Sequence, residues 1–239
     1  MDAPRVVLCS LWRNDAHRDL AARVAHLLSK EDDYPNLRWV WAAGDCDDDT
    51  AERLRELRAD ADVTIVVANS GITGDKPADR LRRLSVTANA LWRQVNADDD
   101  YVLVHESDIV SPPNVVSRMV ARAQAGICPV AAWSVLDLAP GLRVFYDIFA
   151  ARRDGVHFTN SAPYHAGYQP DAPFRVDSFG TVYMLTAWDA AQIEMRDGAV
   201  LDLCRQLRQA GRTLWMDPTL VVTQPIELWT PQVFAKVAA

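Results

Sequence analysis

Glu106 and Asp108 stand two positions apart in "YVLVHESDIVSPPNVV" (101–116), directly after an apolar run. If strand geometry persists through the turn, both carboxylates leave the backbone on one side. Two such charges repel unless something positive lies between them. A hard divalent cation, Mn2+ or Mg2+, takes oxygen ligands and can carry a substrate diphosphate on its remaining positions. Bound there, it neutralises charge developing on a diphosphate leaving group. His105 alternates to the opposite face of the strand and is the weaker ligand candidate. A lone acidic turn is commonly no more than a solvated loop. The apolar strand before this one, the helix signals after it and two further polar turns argue for a site.

Those turns are "WRND" (12–15) and "GDCDDD" (44–49). Arg13 suits a phosphate or a base, while Asp15 reads as a helix N-cap. Asp45 or Asp47 suits a ribose or the edge of a base, with Asp48 as a further candidate; the cluster also reads as a solvated acidic loop. Arg80, Arg82 and Arg83 precede or open a helix, and Arg83 is the candidate for pairing with a diphosphate. Asp177 stands before Gly180, where a backbone can approach an acceptor closely. It reads as a base or hydroxyl ligand, or else as a residue bonded to local backbone. Trp133, Tyr164, His165 and Tyr168 can stack on a sugar or base, or simply anchor the chain. Trp39, Trp41, Trp92 and Trp188 read as core.

The elements that must position these residues follow from periodicity. "RVVLCSL" (5–11), "LRWVWAA" (37–43), "VTIVVA" (63–68) and "YVLVH" (101–105) read as short, buried, valine-rich strands. Helical faces lie between them, through Leu20, Ala21, Val24, Leu27 and Leu28, then over 51–59 and 80–95. This series predicts an α/β fold with a mainly parallel, Rossmann-like sheet flanked by helices. Right-handed crossovers bring the strands' C-terminal ends to one edge, where open α/β sheets bind ligands. All three polar turns should therefore line one cleft. Ser111 as N-cap and Pro112 in the first turn predict a helix just past the carboxylates. Val115, Val116, Met119 and Val120 form its buried face, and Gly126 its stop. Beyond it, strands are expected at 129–133 and 143–155, a loop over 160–174, and a strand in 176–186. A helix over 187–195, an amphipathic helix over 199–211 and a final strand or two in 212–225 complete the chain.

With 239 residues and 49% hydrophobic composition, the chain can form one domain with a sizeable core. Residues 1–126 read as its nucleotide-binding half and 127–239 as its acceptor-binding half. No basic, apolar leader opens the sequence and no apolar run approaches the ~20 residues of a membrane span. The expectation is a soluble, cytoplasmic protein with no membrane span. Four scattered cysteines form no CxxC pair and read as reduced thiols. Net charge of −7 weighs against a nonspecific phosphate-backbone binder but leaves room for a local basic groove. Only Lys30, Lys76 and Lys236 are lysine, and heavy use of Arg, Ala and Asp fits a GC-rich bacterial or phage genome.

The acidic turn at the end of a strand resembles the DxD motif of GT-A-fold glycosyltransferases, with Glu106 in place of the first Asp. More narrowly, "YVLVHESDIVSPPNVV" and "VDSFGTVYMLTAWDA" (176–190) resemble the fungal mannan-synthesising mannosyltransferase family (the Anp/Mnn type), with its "VDSVGGT"-like segment. "GRTLWMDPTLVV" (211–222) resembles the family's "G…P…V…H" ending. The resemblance implies a GT-A-like fold and a retaining transfer from a nucleotide-diphosphate sugar. Glu106 and Asp108 would hold metal and diphosphate, Asp45 or Asp47 the nucleoside, and Asp177 the acceptor. Two departures stand out: Gln224 occupies the place of a late metal-binding His, and no apolar run in the sequence corresponds to the fungal membrane anchor.

The acceptor stays open between a glycan, a small molecule and a hydroxymethylated pyrimidine in DNA. Arg152 and Arg153 beside an aromatic loop would suit phosphate contacts and stacking in the last case. Rival readings are a non-catalytic nucleotide- or sugar-binding protein and a nucleotidyltransferase. The latter lacks support from any Gly-rich, Lys-bearing phosphate loop near the first strand.

Overall fold

The computed structural model describes residues 3–16, 19–58, 61–74, 76–139, 142–147, 149–159, 161–165 and 167–225. Ala59, Ile148, Asn160 and Ala166, inside segments read above as helix, strand or loop, lie outside the described residues.

Four apolar runs form the parallel half of the sheet: β1 (Val6–Trp12), β2 (Leu37–Gly44), β3 (Val63–Ala68) and β4 (Tyr101–His105). β1 and β2 are buried on both faces, which is why they read as continuous apolar stretches rather than alternating ones. Helices α1 (Leu20–Leu28), α2 (Thr50–Leu57) and α3 (Pro77–Trp92) connect them. The chain continues through α4 (Val115–Gln124), β5 (Val130–Ala139), β6 (Leu142–Phe145), β7 (Arg152–Arg153), β8 (Val156–His157) and β9 (Phe174–Val176). It ends with β10 (Val182–Thr186), α5 (Ala187–Gln192), α6 (Val200–Gln209) and β11 (Leu214–Gln224). The large sheet runs β3-β2-β1-β4-β10-β5-β11-β9, with β6 paired to β5. From the pairings, β1 to β5 and β11 point one way, while β6, β9 and β10 point the other. The fold is therefore α/β, with a mostly parallel, mixed central sheet flanked by helices.

Strand alternation divides the core between the two faces. Val7, Cys9, Val40, Ala42, Val102 and Val104 pack on the side that also buries Leu91 of α3 and Leu203 and Leu207 of α6. Val6, Leu8, Trp39, Trp41 and Leu103 pack on the other, with Val24 and Leu27 of α1, Leu54 of α2, and Met119 and Val120 of α4. Among the described residues no helix is long and apolar enough to cross a membrane. All four cysteines are free thiols. Burial pushes the thiols of Cys9, Cys128 and Cys204 up to about 12.

Register creates the cleft. β1 pairs with β2 as far as Trp12↔Ala43 but with β4 only as far as Cys9↔Val104. The end of β1 and the turn after it thus overhang the end of β4. Antiparallel β10 starts at the same edge, with Val182 opposite His105. β11 ends there too, since Val110 and Thr223 exchange two backbone hydrogen bonds of 2.8 Å each.

Several local expectations are corrected. Asp15 does not cap α1; Asp19 does, accepting from the Ala22 N–H at 3.4 Å. Asp15 is buried beside Arg23, whose Nη1 donates to it at 2.9 Å. Asn114 rather than Ser111 occupies the N-cap of α4, because Ser111 is drawn into a polar network under the acidic turn. The 143–155 strand breaks after Phe145, as the chain turns at Tyr146 and Asp147 before β7. Trp188 is 61% exposed, covered in part by the Arg212 guanidinium 5.3 Å from its ring. Trp39, Trp41 and Trp92 are core.

Gly44, the last residue of β2, sits directly under α3. A Cβ there would fall 2.8 Å from Cγ2 of Thr87 and still closer to its Oγ1. Gly44→Ala is expected to lower stability by about 1–3 kcal/mol, the usual cost of overpacking. Chemical denaturation should show that loss, and Gly44→Ala with Thr87→Ala should recover part of it, because the two clashing atoms are then gone.

Candidate active site at the end of β4

A cavity of about 530 Å3 opens at the C-terminal ends of β1, β2 and β4. That is within the usual range for small-ligand sites. Arg13, Asn14 and Asp15 line it from the β1 turn, Gly44 from β2, and Arg80 and Arg83 from α3. Glu106, Ser107 and Asp108 form its floor, and Tyr146 reaches in from the far side. The convergence expected of the first and third polar turns is observed. The second turn contributes Gly44 at its start. Asp45 turns away and accepts from Ser70 N–H at 2.7 Å and Ser70 Oγ at 2.8 Å. Asp47 binds Asn14 twice, its N–H donating to Oδ1 at 2.8 Å and its carboxylate accepting from Nδ2 at 3.5 Å. Both hold the loops around the cavity.

The acidic turn is held rigidly. Glu106 N–H donates to Thr181 O at 3.3 Å, and Ile109 N–H to Glu106 O at 3.2 Å. Arg23 clasps Ser107, with Nε 2.8 Å from its carbonyl and Nη2 2.6 Å from its hydroxyl. The same guanidinium lies over Trp12, 5.1 Å from the ring. His105 is fully buried on the opposite face, as strand alternation requires. Its Nδ1 lies 2.9 Å from Glu106 O and its Nε2 2.9 Å from Ser111 Oγ. Ser111 N–H in turn donates to His26 Nε2 at 3.1 Å. Burial holds the imidazoles neutral, lowering His26 to about 4 and His105 to about 3. It also lowers the Lys30 amine, which donates to the carbonyls of Ser111 and Pro112, to about 8.

Charge on the cavity floor is costly. Burial raises the Glu106 carboxyl well above the usual range, and Asp108 and Asp147 add to the shift while Arg80 opposes it. Burial raises Asp108 as well, against the pull of Arg23 and a hydrogen bond from Gln224. Asp147 is buried and raised to about 7, despite hydrogen bonds from Ala150 N–H, Thr181 and Gly180 N–H. The Tyr146 phenol is raised by burial and by the three carboxylates around it. Backbone strain accompanies the charge: Thr181, a β-branched residue, has φ 68°. Gly180 is required where it stands, since a Cβ would come 2.7 Å from the Asp147 carboxylate.

Gln224, at the position of the expected late His, does reach the turn. Its Nε2 donates to Asp108 Oδ2 at 3.2 Å, and its Oε1 is buried without a hydrogen-bond partner. Among the described residues no three His, Cys, Asp or Glu side chains are grouped to hold a metal. Glu106 and Asp108 nevertheless fit a Mg2+- or Mn2+-type ion, which commonly takes one or two carboxylates and completes its shell with substrate phosphates and water. The orphaned Gln224 oxygen beside them is a neutral donor of the right chemistry.

Arg13 is exposed at the rim, its guanidinium 3.4 Å from the Asp45 carbonyl. Arg83 is buried and donates to the carbonyls of Ile72 and Gly74, so it braces a loop as well as lining the cavity. Arg80 is the exposed α3 guanidinium that acts on Glu106. Asp177 lies elsewhere, in a second cleft of about 1070 Å3. Its Oδ2 accepts from Gly155 N–H at 2.7 Å, and Arg208 lies 3.6 Å from its Oδ1. Trp133 is fully buried, and Tyr164 and Tyr168 pack with Phe158 and Phe174 around Arg153. These aromatic rings are committed to one another.

Sequence reasoning missed Arg23, Tyr146 and Asp147, and preferred Arg83 over Arg80. Arg23 carries no motif, because Ser107, which it clasps, is 84 residues away. "FYDIF" interrupts a strand pattern with an acid, which was the available signal for Asp147.

Glu106, Asp108 and Asp147 keep protons in the folded chain at pH values where the unfolded chain has lost them. Stability should therefore fall as pH rises from the ordinary Asp value of 3.8 towards about 7. Glu106→Gln removes one of these charges. Urea titration should place its midpoint above that of the unmodified chain at pH 8, with the gap closing towards about pH 4. A gap independent of pH would show that Glu106 carries no such burden. No protein-family model matches this chain and no curated protein matches it in sequence.

Proposed function

We propose that the chain is a metal-dependent glycosyltransferase, moving a sugar from a nucleotide-diphosphate sugar to an acceptor hydroxyl. One observation carries this reading. Two carboxylates share the floor of a cavity whose other walls present Arg13, Arg80 and Arg83. Acids that destabilise one another opposite guanidiniums suit a cation–diphosphate pair, which satisfies both sets of charges at once.

Glu106 and Asp108 would hold Mn2+ or Mg2+, which supplies charge neutralisation for the departing diphosphate. Arg13 and Arg80 bind phosphate oxygens from the rim. Arg23 does not touch the substrate; it fixes Ser107 and hence the angle of both acids. Asp45 and Asp47 support nucleoside binding by holding the loops that carry Arg13 and Asn14. In the transfer, the acceptor oxygen bonds to the anomeric carbon as the sugar–diphosphate bond breaks. With retention, as the resemblance implies, the acceptor proton passes to the leaving diphosphate and no side-chain base is needed. Asp177 then orients the acceptor. The acceptor is a glycan, a small molecule or a hydroxymethylated pyrimidine of DNA.

Calorimetry should show a nucleoside diphosphate binding much more tightly with Mn2+ than with EDTA. Asp108→Asn should remove most of that difference while leaving the protein folded. Equal affinity with and without metal would sink the proposal, and metal-dependent binding with no donor hydrolysed across a panel of nucleotide sugars would leave a binding protein instead. Asp177→Asn should slow transfer by roughly tenfold to a hundredfold, with the anomeric configuration retained by NMR. Inversion together with near-complete loss of turnover would make Asp177 the catalytic base.

A further inference from the structure

Two stretches of chain link the second cleft to the first. Tyr146 lines the first cavity and Arg152 lines the second. Ser178, which lines the second, donates through Oγ to the Ala150 carbonyl, and the Thr181 carbonyl accepts from the N–H of Glu106 in the first.

Charges in the second cleft are unevenly satisfied. Each of its carboxylates already has donors from the chain. Asp154 accepts from the Tyr164 hydroxyl, and Asp197 pairs with Arg82 at 3.0 Å. Asp177 accepts from Gly155 N–H, and Asp202 from Arg205, Gln206 and the Arg196 N–H. Arg152 and Arg196 make no side-chain hydrogen bond or ion pair among the described residues. Arg152 is half-buried, and its Nε is fully enclosed without a partner. A half-buried guanidinium with no carboxylate paired to it is costly, and an anion in the cleft would relieve that cost. The neighbouring Arg153 faces away into its aromatic cluster, so the pair does not act together.

We propose that the second cleft is an oxyanion site in which Arg152 and Arg196 seat a phosphate group, Arg208 and Arg205 completing the field. On the transferase reading, on which this assignment of the ligand rests, that phosphate belongs to the acceptor. Planar guanidiniums suit a phosphate ester, whether from a polynucleotide backbone or a free phosphorylated acceptor.

Titration calorimetry of the full chain in EDTA, with inorganic phosphate and separately with a short thymidylate oligomer, tests the site without any metal. Binding is expected, and Arg196→Gln should weaken it about tenfold, the loss of one charge-assisted contact. Arg196 is exposed, so that variant should fold even if Arg152→Gln does not. Arg152→Gln combined with Arg196→Gln should abolish binding. Tighter, strongly salt-dependent binding of the oligomer identifies a polynucleotide as the source; inorganic phosphate binding as tightly identifies a free ester. No binding of either probe, or equal affinity in Arg196→Gln, overturns the proposal and leaves water as the partner of Arg152. Mn2+-dependent nucleotide binding in the same preparation keeps the transferase reading separately testable.

Discussion

Glu106 and Asp108 bring two negative charges to the end of a buried strand, where little water can solvate them, and much of the surrounding structure manages that cost. Burial alone would drive both acids to hold protons. Arg80 and Arg23 oppose it from two helices, and Gln224 adds a hydrogen bond from the last strand. These contributions reduce the repulsion without abolishing it. On the proposed reading, a bound cation would relieve what the protein has not.

The turn does not relax away from this strain because its backbone is committed on both sides. Thr181 accepts from Glu106 N–H while adopting a left-handed φ that β-branched residues avoid. Beneath, the buried chain of His105, Ser111 and His26 holds the Glu106 carbonyl from the opposite face. Neutral imidazoles are required there, because a charged one would be buried without a counter-ion. The polar network on one face and the carboxylates on the other are thus two consequences of one strand's alternation.

Antiparallel β10, inserted between β4 and β5, has a comparable reach. Its start lies at the same edge as the ends of the parallel strands, so residues 177–181 enter the functional edge from the opposite direction. Asp177 and Ser178 line the second cavity, while the Thr181 carbonyl accepts from Glu106 N–H in the first.

Much of this was legible in the residues themselves. Valine-rich runs mark β1 to β4, since strands covered on both faces must be apolar throughout. The i, i+2 spacing at the end of β4 brings two carboxylates to one cavity, because side chains alternate along a strand whatever surrounds it. What stayed hidden depends on partners far apart in the chain. Asp15 and Ser111 have the chemistry of helix caps, but Arg23 and His105 compete for them and win. Asp45 and Asp47 have the chemistry of nucleoside ligands, yet Ser70 and Asn14 occupy them. Trp188 fits a core pattern and lies on the surface, because α5 turns that face outward. Local covalent order determined which segments are strands, which turns are polar and where two acids meet. Which of those polar groups remain free for a ligand was decided only by tertiary packing, because a hydrogen-bonding side chain is spent on whichever partner the fold brings within reach.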